Sequence, residues 1–336
     1  MSKSSPRVSI IACHHTGELL YPFIESVKKN CHIPYELIIV TSDETLALKG
    51  IQGCVLYYSK ALPAEKRNLG VKISTTPYIA FFDDDVEIGL GCIENMMYTL
   101  IMKESCGMVY GKLHKFGTKR FDEAGGFLTW NGFIWSRAEQ NIEDTGQYDT
   151  EEVIFAGKSA SCMIKRSVFE EVGGFDESFG ILGEESDLSW RVWLRGYKVY
   201  YCPKSIAHHK FNTPLKPFTK FYNYDRVHFN GCRNYITMLI KNLGARNLWI
   251  VPIHSLIWLT VSIIMLASGK LKQGTCILRG LIYVVLNIPG ILRKRSQIQA
   301  TRRVDDKTIW SSIYRKTRGA YYWVRFRKYL SSGLHG

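Results

Sequence analysis

Three aspartates stand together at Asp83, Asp84 and Asp85, directly behind the apolar pair Phe81 and Phe82. An apolar run that stops at carboxylates reads as a buried strand opening into a site, since ligands of open α/β sheets lie at the carboxyl ends of the strands. Adjacent carboxylates repel one another, so the group calls for a cation. A hard divalent ion, Mg²⁺ or Mn²⁺, suits oxygen ligands and can bridge to a diphosphate. The plain alternative is an acidic turn in solvent. Further along, Gly183 precedes Glu184, Glu185 and Asp187 at the mouth of an amphipathic helix marked by Leu188, Val192 and a stop at Gly196. Asp187 and Arg191 are spaced to pair across one turn. Acids in a first helical turn gain from the helix dipole, so a structural account stands beside the functional one. The functional one is a general base that takes a proton from an acceptor hydroxyl. His208 and His209 follow an apolar run and Pro203. Neighbours on an extended chain face opposite ways, so one could complete a metal shell while the other turns away.

These groups need a frame. Residues 8–12, 36–40, 54–58 and 78–82 are short apolar runs rich in β-branched or aromatic side chains, and read as strands buried on both faces. Leu19, Leu20, Phe23, Ile24 and Val27 recur at helical spacing between the first two, with Pro22 near the start, where it is tolerated. Pro63 is placed to open a helix over 66–73. Strand alternating with helix predicts an α/β fold, a mostly parallel sheet flanked by helices. Residues 107–111, 159–164 and 198–202 add later strands. The segment 116–150 is irregular, polar and aromatic, and reads as loops over a binding face.

Composition fits a folded chain: 336 residues, 46% hydrophobic and 22% charged. The net charge of +14 is uneven, because twelve basic residues lie between Arg293 and Lys328 against only Asp305 and Asp306. A basic stretch of that density seeks an anionic partner. The nine cysteines form no Cys-x-x-Cys pair, which fits a reducing compartment. The apolar run from Val8 to Cys13 is too short for the core of a signal peptide.

Beyond Asn242 the character changes. Residues 248–268 run for 21 positions without a formal charge, the length of a bilayer span, although Pro252, His254 and several hydroxyls weaken it. A second run, 280–292, has 13 uncharged residues and includes Asn287 and Pro289; it is short for a span and suits a tilted, re-entrant or interfacial placement. A buried helix pair in a soluble domain is the alternative. From Thr308 to Leu330, Trp310, Tyr314, Tyr321, Tyr322, Trp323, Phe326 and Tyr329 alternate with Arg315, Lys316, Arg318, Arg325, Arg327 and Lys328. Aromatics favour lipid headgroups and cations favour anionic lipid. Beside two apolar segments this favours an anionic membrane surface over nucleic acid. The expected division is 1–245 for the α/β domain and 246–336 for an apolar and basic helical membrane-associating region.

In order along the chain, these elements resemble the inverting glycosyltransferases of family 2, over roughly residues 7–245. Val8-Ser9-Ile10-Ile11 resembles the opening strand, and Tyr35 to Val40 the second. The second strand normally ends in acids that read the nucleobase; here Asp43 is the displaced candidate. Lys66-Arg67-Asn68-Leu69-Gly70 resembles an Arg-Asn-x-Gly segment beside the nucleotide, with Arg67 available to a phosphate. Asp83-Asp84-Asp85 resembles the DxD motif. The resemblance implies that Asp83 contacts the nucleotide, with Asp84 beside it, and that Asp85 holds a metal. Gly173-Gly174-Phe175-Asp176-Glu177 resembles an acceptor-side signature. Glu184-Glu185-x-Asp187-Leu188 resembles Glu-Asp-x-Asp-Leu, which puts the base on Glu185, with Glu184 and Asp187 as alternatives. His209 matches the metal-contacting histidine, with His208 as the fallback. Arg233-Asn234-Tyr235, Lys241-Asn242 and the run Leu292-Arg293-Lys294-Arg295 resemble members that build bacterial surface polysaccharides. Processive members carry Gln-x-x-Arg-Trp; here Asn230 to Asn234 has neither Gln nor Trp, which favours single additions.

The resemblance implies the GT-A fold, Rossmann-like, in residues 1–245. It also implies an inverting, metal-dependent transfer from a nucleotide-diphosphate sugar of UDP or dTDP type to a lipid-linked or glycan acceptor. The expected location is the cytosolic face of the plasma membrane. A sugar nucleotidyltransferase would usually carry a Gly-rich basic loop after the first strand, where this chain has Ala12-Cys13-His14-His15-Thr16-Gly17. A non-catalytic nucleotide-sugar-binding scaffold is the remaining alternative. No Ser-His-Asp or Cys-His arrangement argues for a covalent nucleophile.

Overall fold

The computed structural model of the chain describes residues 8–15, 19–46, 54–138, 142–210, 224–314 and 327. It divides into two compact units, Met1–Gly126 with Ser136–Pro217, and Phe127–Trp135 with Phe218–Gly336. The expected junction at 245/246 falls inside the second unit.

In chain order the elements are β1 (Val8–His14), α1 (Leu20–Asn30), β2 (Tyr35–Thr41), β3 (Cys54–Tyr58), α2 (Pro63–Ile73), β4 (Tyr78–Asp83), β5 (Val86–Ile88), α3 (Cys92–Met102), β6 (Cys106–Lys115) and β7 (Phe121–Glu123). Then come β8 (Gly126–Leu128), β9 (Ile134–Ser136), β10 (Glu152–Val153), β11 (Ser161–Lys165), α4 (Arg166–Glu171), α5 (Glu184–Leu194), β12 (Lys198–His209) and helices α6 (Tyr224–Asn242), α7 (Ile250–Ala267), α8 (Leu271–Leu286), α9 (Ile288–Ala300) and α10 (Asp306–Ile313).

The first unit is an α/β sheet in the order β10-β12-β6-β11-β4-β1-β2-β3, with β5 on β12 and β7 on β6. The run β3-β2-β1-β4 is parallel. β11 then lies antiparallel between β4 and β6, so the sheet is mixed across its second half. Ile10, Ile11, Phe81 and Phe82 have no exposed surface, as strands covered on both faces require. β3 differs from its expected double burial: it is the edge strand, and Val55, Leu56, Tyr57 and Tyr58 are exposed. An apolar run announces a strand without saying which strand is outermost.

Three local features aim side chains at the carboxyl ends of the parallel strands. Helix α2 opens on Pro63 and lies tight on β1 at Gly70, where a Cβ would stand 2.4 Å from Ile11 Cγ2. That close approach sets Arg67 and Asn68, one turn earlier. Phe81 packs edge-on to Phe175 at 5.2 Å between centroids, wedging β4 against the Gly-Gly-Phe-Asp-Glu segment. β12 runs past the expected end at Cys202: its register on β6 shifts between Cys202 and Ile206, and the strand continues to pair His209 with Val86 of β5. Pro203 falls within that irregularity, where a proline's missing N–H costs no ladder bond.

In the second unit α6, α7, α8 and α9 share a core that includes Cys232, Ile236, Trp258, Val261, Met265, Ile277, Val284 and Ile291. The β8–β9 hairpin segment belongs with them: His254 Nδ1 lies 2.9 Å from the Asn131 carbonyl, and the Trp258 indole donates to His254 Nε2 at 3.0 Å. Residues Ala245–Ala267 form the one helix, among the described residues, that is long and apolar enough to cross a membrane. Its mean hydropathy is 2.1, and a third of it is buried. Helices α8 and α9 pass the same test only if taken together across a 66° bend. The aromatic and basic tail from residue 315 lies outside the described residues, save Arg327.

Candidate active site

The three aspartates part company at the end of β4. Asp84 turns inward: it is buried, accepts from the His15 backbone N–H at 3.4 Å and lies 4.0 Å from His14 Nε2. Asp83 and Asp85 face the other way, and one donor atom of each lies within 4.8 Å of the other and of a His209 nitrogen. His209 Nε2 stands 3.4 Å from Asp85 Oδ1, and its Nδ1 is 2.9 Å from Asp122 Oδ2. Lys158 Nζ lies 2.8 Å from that same Asp122 oxygen. Burial disfavours the charged imidazole, but Asp85 and Asp122 outweigh it and raise His209 to about 10. Burial also works against the Asp122 carboxylate, and Lys158 and His209 overcome it and hold the group below its usual range. Two hard carboxylate oxygens and one imidazole converging in this way are a donor set that fits Mg²⁺ or Mn²⁺.

His208 takes the opposite face, as alternation along β12 demands. It pairs in register with Glu87, and its ring lies 5.7 Å from that of His114. It therefore stands outside the Asp83, Asp85 and His209 group.

Arg67 is buried rather than a solvated helix charge. Its guanidinium donates to Asp83 Oδ1 at 2.9 Å and to Glu184 Oε1 at 3.0 Å, and lies 5.5 Å from the Phe175 ring centroid. Burial opposes the charge, yet Asp83 and Glu184 more than compensate and raise its proton affinity. The cation expected to meet a phosphate is thus held between two carboxylates. Asn68 has a structural grip: its amide donates to the Phe175 carbonyl and to Glu177, each at 2.9 Å, and its oxygen accepts from the Phe175 N–H at 2.9 Å.

The acidic helix start sorts its members. α5 begins after Gly183, at φ +84°, and Leu182 before it holds φ +74°. Such a conformation is strained for a residue with a Cβ, and strain of this kind gathers at functional sites. Glu184 is paired with Arg67. Asp187 is fully buried and receives Arg191 Nε at 2.9 Å, while Arg191 Nη1 donates to the Val172 and Gly174 carbonyls, each at 2.6 Å. That pair ties the helix to the glycine turn. Glu185 is the partly exposed member. Desolvation of its carboxyl, then the neighbouring Glu184 charge, pushes its pKa well above the usual value. Asp43 caps its own turn, accepting from the Thr45 N–H at 2.9 Å and the Thr45 hydroxyl at 2.8 Å.

Two residues in this cluster carry no signal in the sequence. Asp122 sits in the segment 116–150, expected as irregular loops over a binding face but in fact holding β7, β8 and β9, and Lys158 lies in the lead to β11. Nearby, the segment 142–149 is fastened to β6 through Asp144, which accepts from Lys112 and lies against His114, both at 2.7 Å.

A family model described as glycosyltransferase like family 2 matches residues 41–251. The O-antigen chain rhamnosyltransferase RfbN of Salmonella typhimurium is 27% identical over 241 residues, covering 68% of this chain and 73% of that protein. A pre-mycofactocin glycosyltransferase of Mycobacterium tuberculosis is 26% identical over 165 residues, 46% of this chain and 31% of its own length. A solved structure of GalNAc-T7 with UDP, GalNAc and Mn²⁺ superposes with a TM-score of 0.52 at 12% identity, over 75% of this chain and 55% of that one. That likeness shows the fold, which is of the GT-A kind.

Proposed function

This chain belongs to glycosyltransferase-like family 2, and from that premise we propose that it moves a sugar from a UDP- or dTDP-type donor to a hydroxyl of a lipid-linked or polysaccharide acceptor, with inversion. The observation that carries the reading is the sorting of the acidic helix start. Glu184 and Asp187 are each tied to an arginine, which leaves Glu185 as the carboxylate at the site with a raised proton affinity. A carboxylate with that property is a stronger proton acceptor than an ordinary one.

Asp83, Asp85 and His209 would hold the divalent ion. Bound there, it supplies the positive charge that a departing diphosphate needs. Glu185 takes the proton of the acceptor hydroxyl as that oxygen bonds to the anomeric carbon. The bond from that carbon to the diphosphate oxygen breaks on the opposite face, and the nucleoside diphosphate leaves. Arg67 holds Asp83 and Glu184 in place, and Asn68 and Arg191 hold the Gly-Gly-Phe turn beside them. Asp43 and Asp84 would line the nucleotide side. The relatives' names bear on the acceptor class: one is named for O-antigen chains.

We place the protein on the cytosolic membrane surface, with α7 lying along the interface. Between Arg226 and Val304 the chain has no Asp or Glu, and the exposed Trp249, Leu256 and Ile263 recur every seventh residue along the helix. The opposite side of α7 is occupied: His254 and Trp258 are buried with the hairpin, and the Ser262 hydroxyl donates to the Gly274 carbonyl of α8 at 2.7 Å. A helix apolar on its free side and basic around it suits one leaflet.

The test is donor turnover without an acceptor. The purified chain, given a panel of nucleotide sugars and Mn²⁺, is expected to release nucleoside diphosphate slowly from one of them, with the sugar inverted by proton NMR. Release with retained configuration would overturn the assigned mechanism.

A further inference from the structure

We propose that Asp122, braced by Lys158, is a positioning residue that turns His209 into a ligand. The proposal rests on the metal reading of Asp83, Asp85 and His209.

An imidazole can ligate a cation only through a nitrogen that carries a lone pair, so its proton must be kept on the other nitrogen. Asp122 Oδ2 lies 2.9 Å from Nδ1 of His209, the place from which a carboxylate holds that proton. Nε2 is then the nitrogen that would give up its proton to a cation, and it is the one on the side of Asp85, 3.4 Å from Oδ1. The carboxylate therefore selects both the tautomer and the ring orientation.

Asp122 is aimed by backbone geometry. β7 pairs Glu123 with Leu113 and Phe121 with His114, with a register shift between the two pairs. Asp122 is the extra residue of a β-bulge, a device that re-aims a side chain out of the regular alternation. Its neighbour Glu123 pins the next turn by accepting from the Ala124 N–H at 3.0 Å and the Gly125 N–H at 2.8 Å.

Lys158 removes the remaining freedom. Its ammonium lies 2.8 Å from Asp122 Oδ2 and 3.3 Å from the Asp122 carbonyl oxygen, bridging side chain and backbone of one residue. It also balances the negative charge that the buried Asp85 and Asp122 would otherwise concentrate around His209. The result is a chain of contacts, Lys158 to Asp122 to His209, that joins the lead into β11, β7 and β12 and ends at the metal group.

The experiment is Mn²⁺ titration of the full chain in detergent, followed by electron paramagnetic resonance of free Mn²⁺, without any sugar donor. Asp122→Asn keeps the shape and loses the charge; it is expected to weaken Mn²⁺ by about 10–100-fold, the range for removing a partner behind a metal ligand. Lys158→Met is expected to weaken it in the same direction and serves if Asp122→Asn does not fold. His209→Ala supplies the decisive background: there, adding Asp122→Asn should change Mn²⁺ affinity by less than about twofold, because the residue acts through His209. Native-like Mn²⁺ affinity in both single variants overturns the proposal. So does an equal loss in the His209→Ala background, which would mark Asp122 as a general structural residue. A native chain that binds no Mn²⁺ at all overturns the metal reading itself, and is told apart from the other results by that control.

Discussion

Arg67 and Glu184 meet at 3.0 Å across 117 positions of sequence, and the same guanidinium holds Asp83 at 2.9 Å. One buried cation thus joins the end of β4 to the start of α5, the two places where the chemistry is assigned. Removing it leaves Glu184 buried without its counter-charge. Arg67→Met is expected to cost about 3–5 kcal/mol, the range for breaking one side of a buried ion pair. Adding Glu184→Gln should return a substantial part of that loss. Urea unfolding of the single and double variants checks it; a double variant no more stable than Arg67→Met would refute the pairing as an energetic unit.

Glu185 makes two opposite predictions when replaced by Gln. Turnover should fall by about 10²–10⁴-fold, the usual worth of a positioned base, with donor binding retained. Stability should rise. The folded chain holds the Glu185 proton more tightly than the unfolded chain, whose glutamate titrates near 4.5, so ionising it at higher pH works against folding. Stability is therefore lost as pH climbs from about 4.5 through the raised folded value, and Gln, always neutral, escapes the loss. In EDTA the variant should melt above the native chain at neutral pH, with the gap closing at acid pH. For the native chain, kcat/KM should rise with pH through a midpoint above that of an ordinary carboxylate. A midpoint near 4.5 would remove Glu185 from the role.

The two glycines of the Gly-Gly-Phe turn separate backbone strain from contact. Both hold positive φ, +81° at Gly173 and +66° at Gly174. A Cβ at Gly173 meets open space, whereas one at Gly174 stands 2.9 Å from Asn68 Oδ1 and 3.1 Å from Phe169. Gly173→Ala should cost about 1–2 kcal/mol, the left-handed penalty alone. Gly174→Ala should cost more and also weaken donor binding, because Asn68 lies next to Arg67. Thermal melts rank them; equal losses would count against the Asn68 clamp.

On the membrane, Leu256→Glu with Ile263→Glu should release the protein from vesicles containing phosphatidylglycerol. Burying each side chain is worth about 1.5–3 kcal/mol, so the pair should weaken binding by at least tenfold. Raised salt should weaken the native chain as well, since cations contribute. Extraction of the native protein by alkaline carbonate is the expected result for a helix lying in one leaflet; resistance to it would indicate a span.

Much of this arrangement is legible in the sequence because its signals are local. The apolar run into Asp83, the Pro63 helix start and the Glu184–Asp187 cluster each announce an element within a few residues. The Asp187–Arg191 pair is legible as a spacing of one helical turn. The choice between Glu184 and Glu185 is not local: it depends on Arg67, 117 positions away, and only folding shows which of the two that arginine takes. His209 rather than His208 follows from alternation plus the shift in β12 near Pro203, which no spacing rule supplies. Asp122 is the clearest omission: a bulge turns it toward His209, and a bulge leaves no periodic trace. The exposure of β3 is the converse case, an apolar strand whose place at the edge is decided by its neighbours.

The most direct measurement is calorimetry of the detergent-solubilised chain with UDP, dTDP, GDP and CMP, each with Mn²⁺ and with EDTA, for the native protein, Asp85→Asn and Glu185→Gln. The account predicts that one nucleoside diphosphate binds only with Mn²⁺, that Asp85→Asn abolishes the binding and that Glu185→Gln keeps it. Binding that ignores both Mn²⁺ and Asp85, or no binding by a folded native chain, would contradict it.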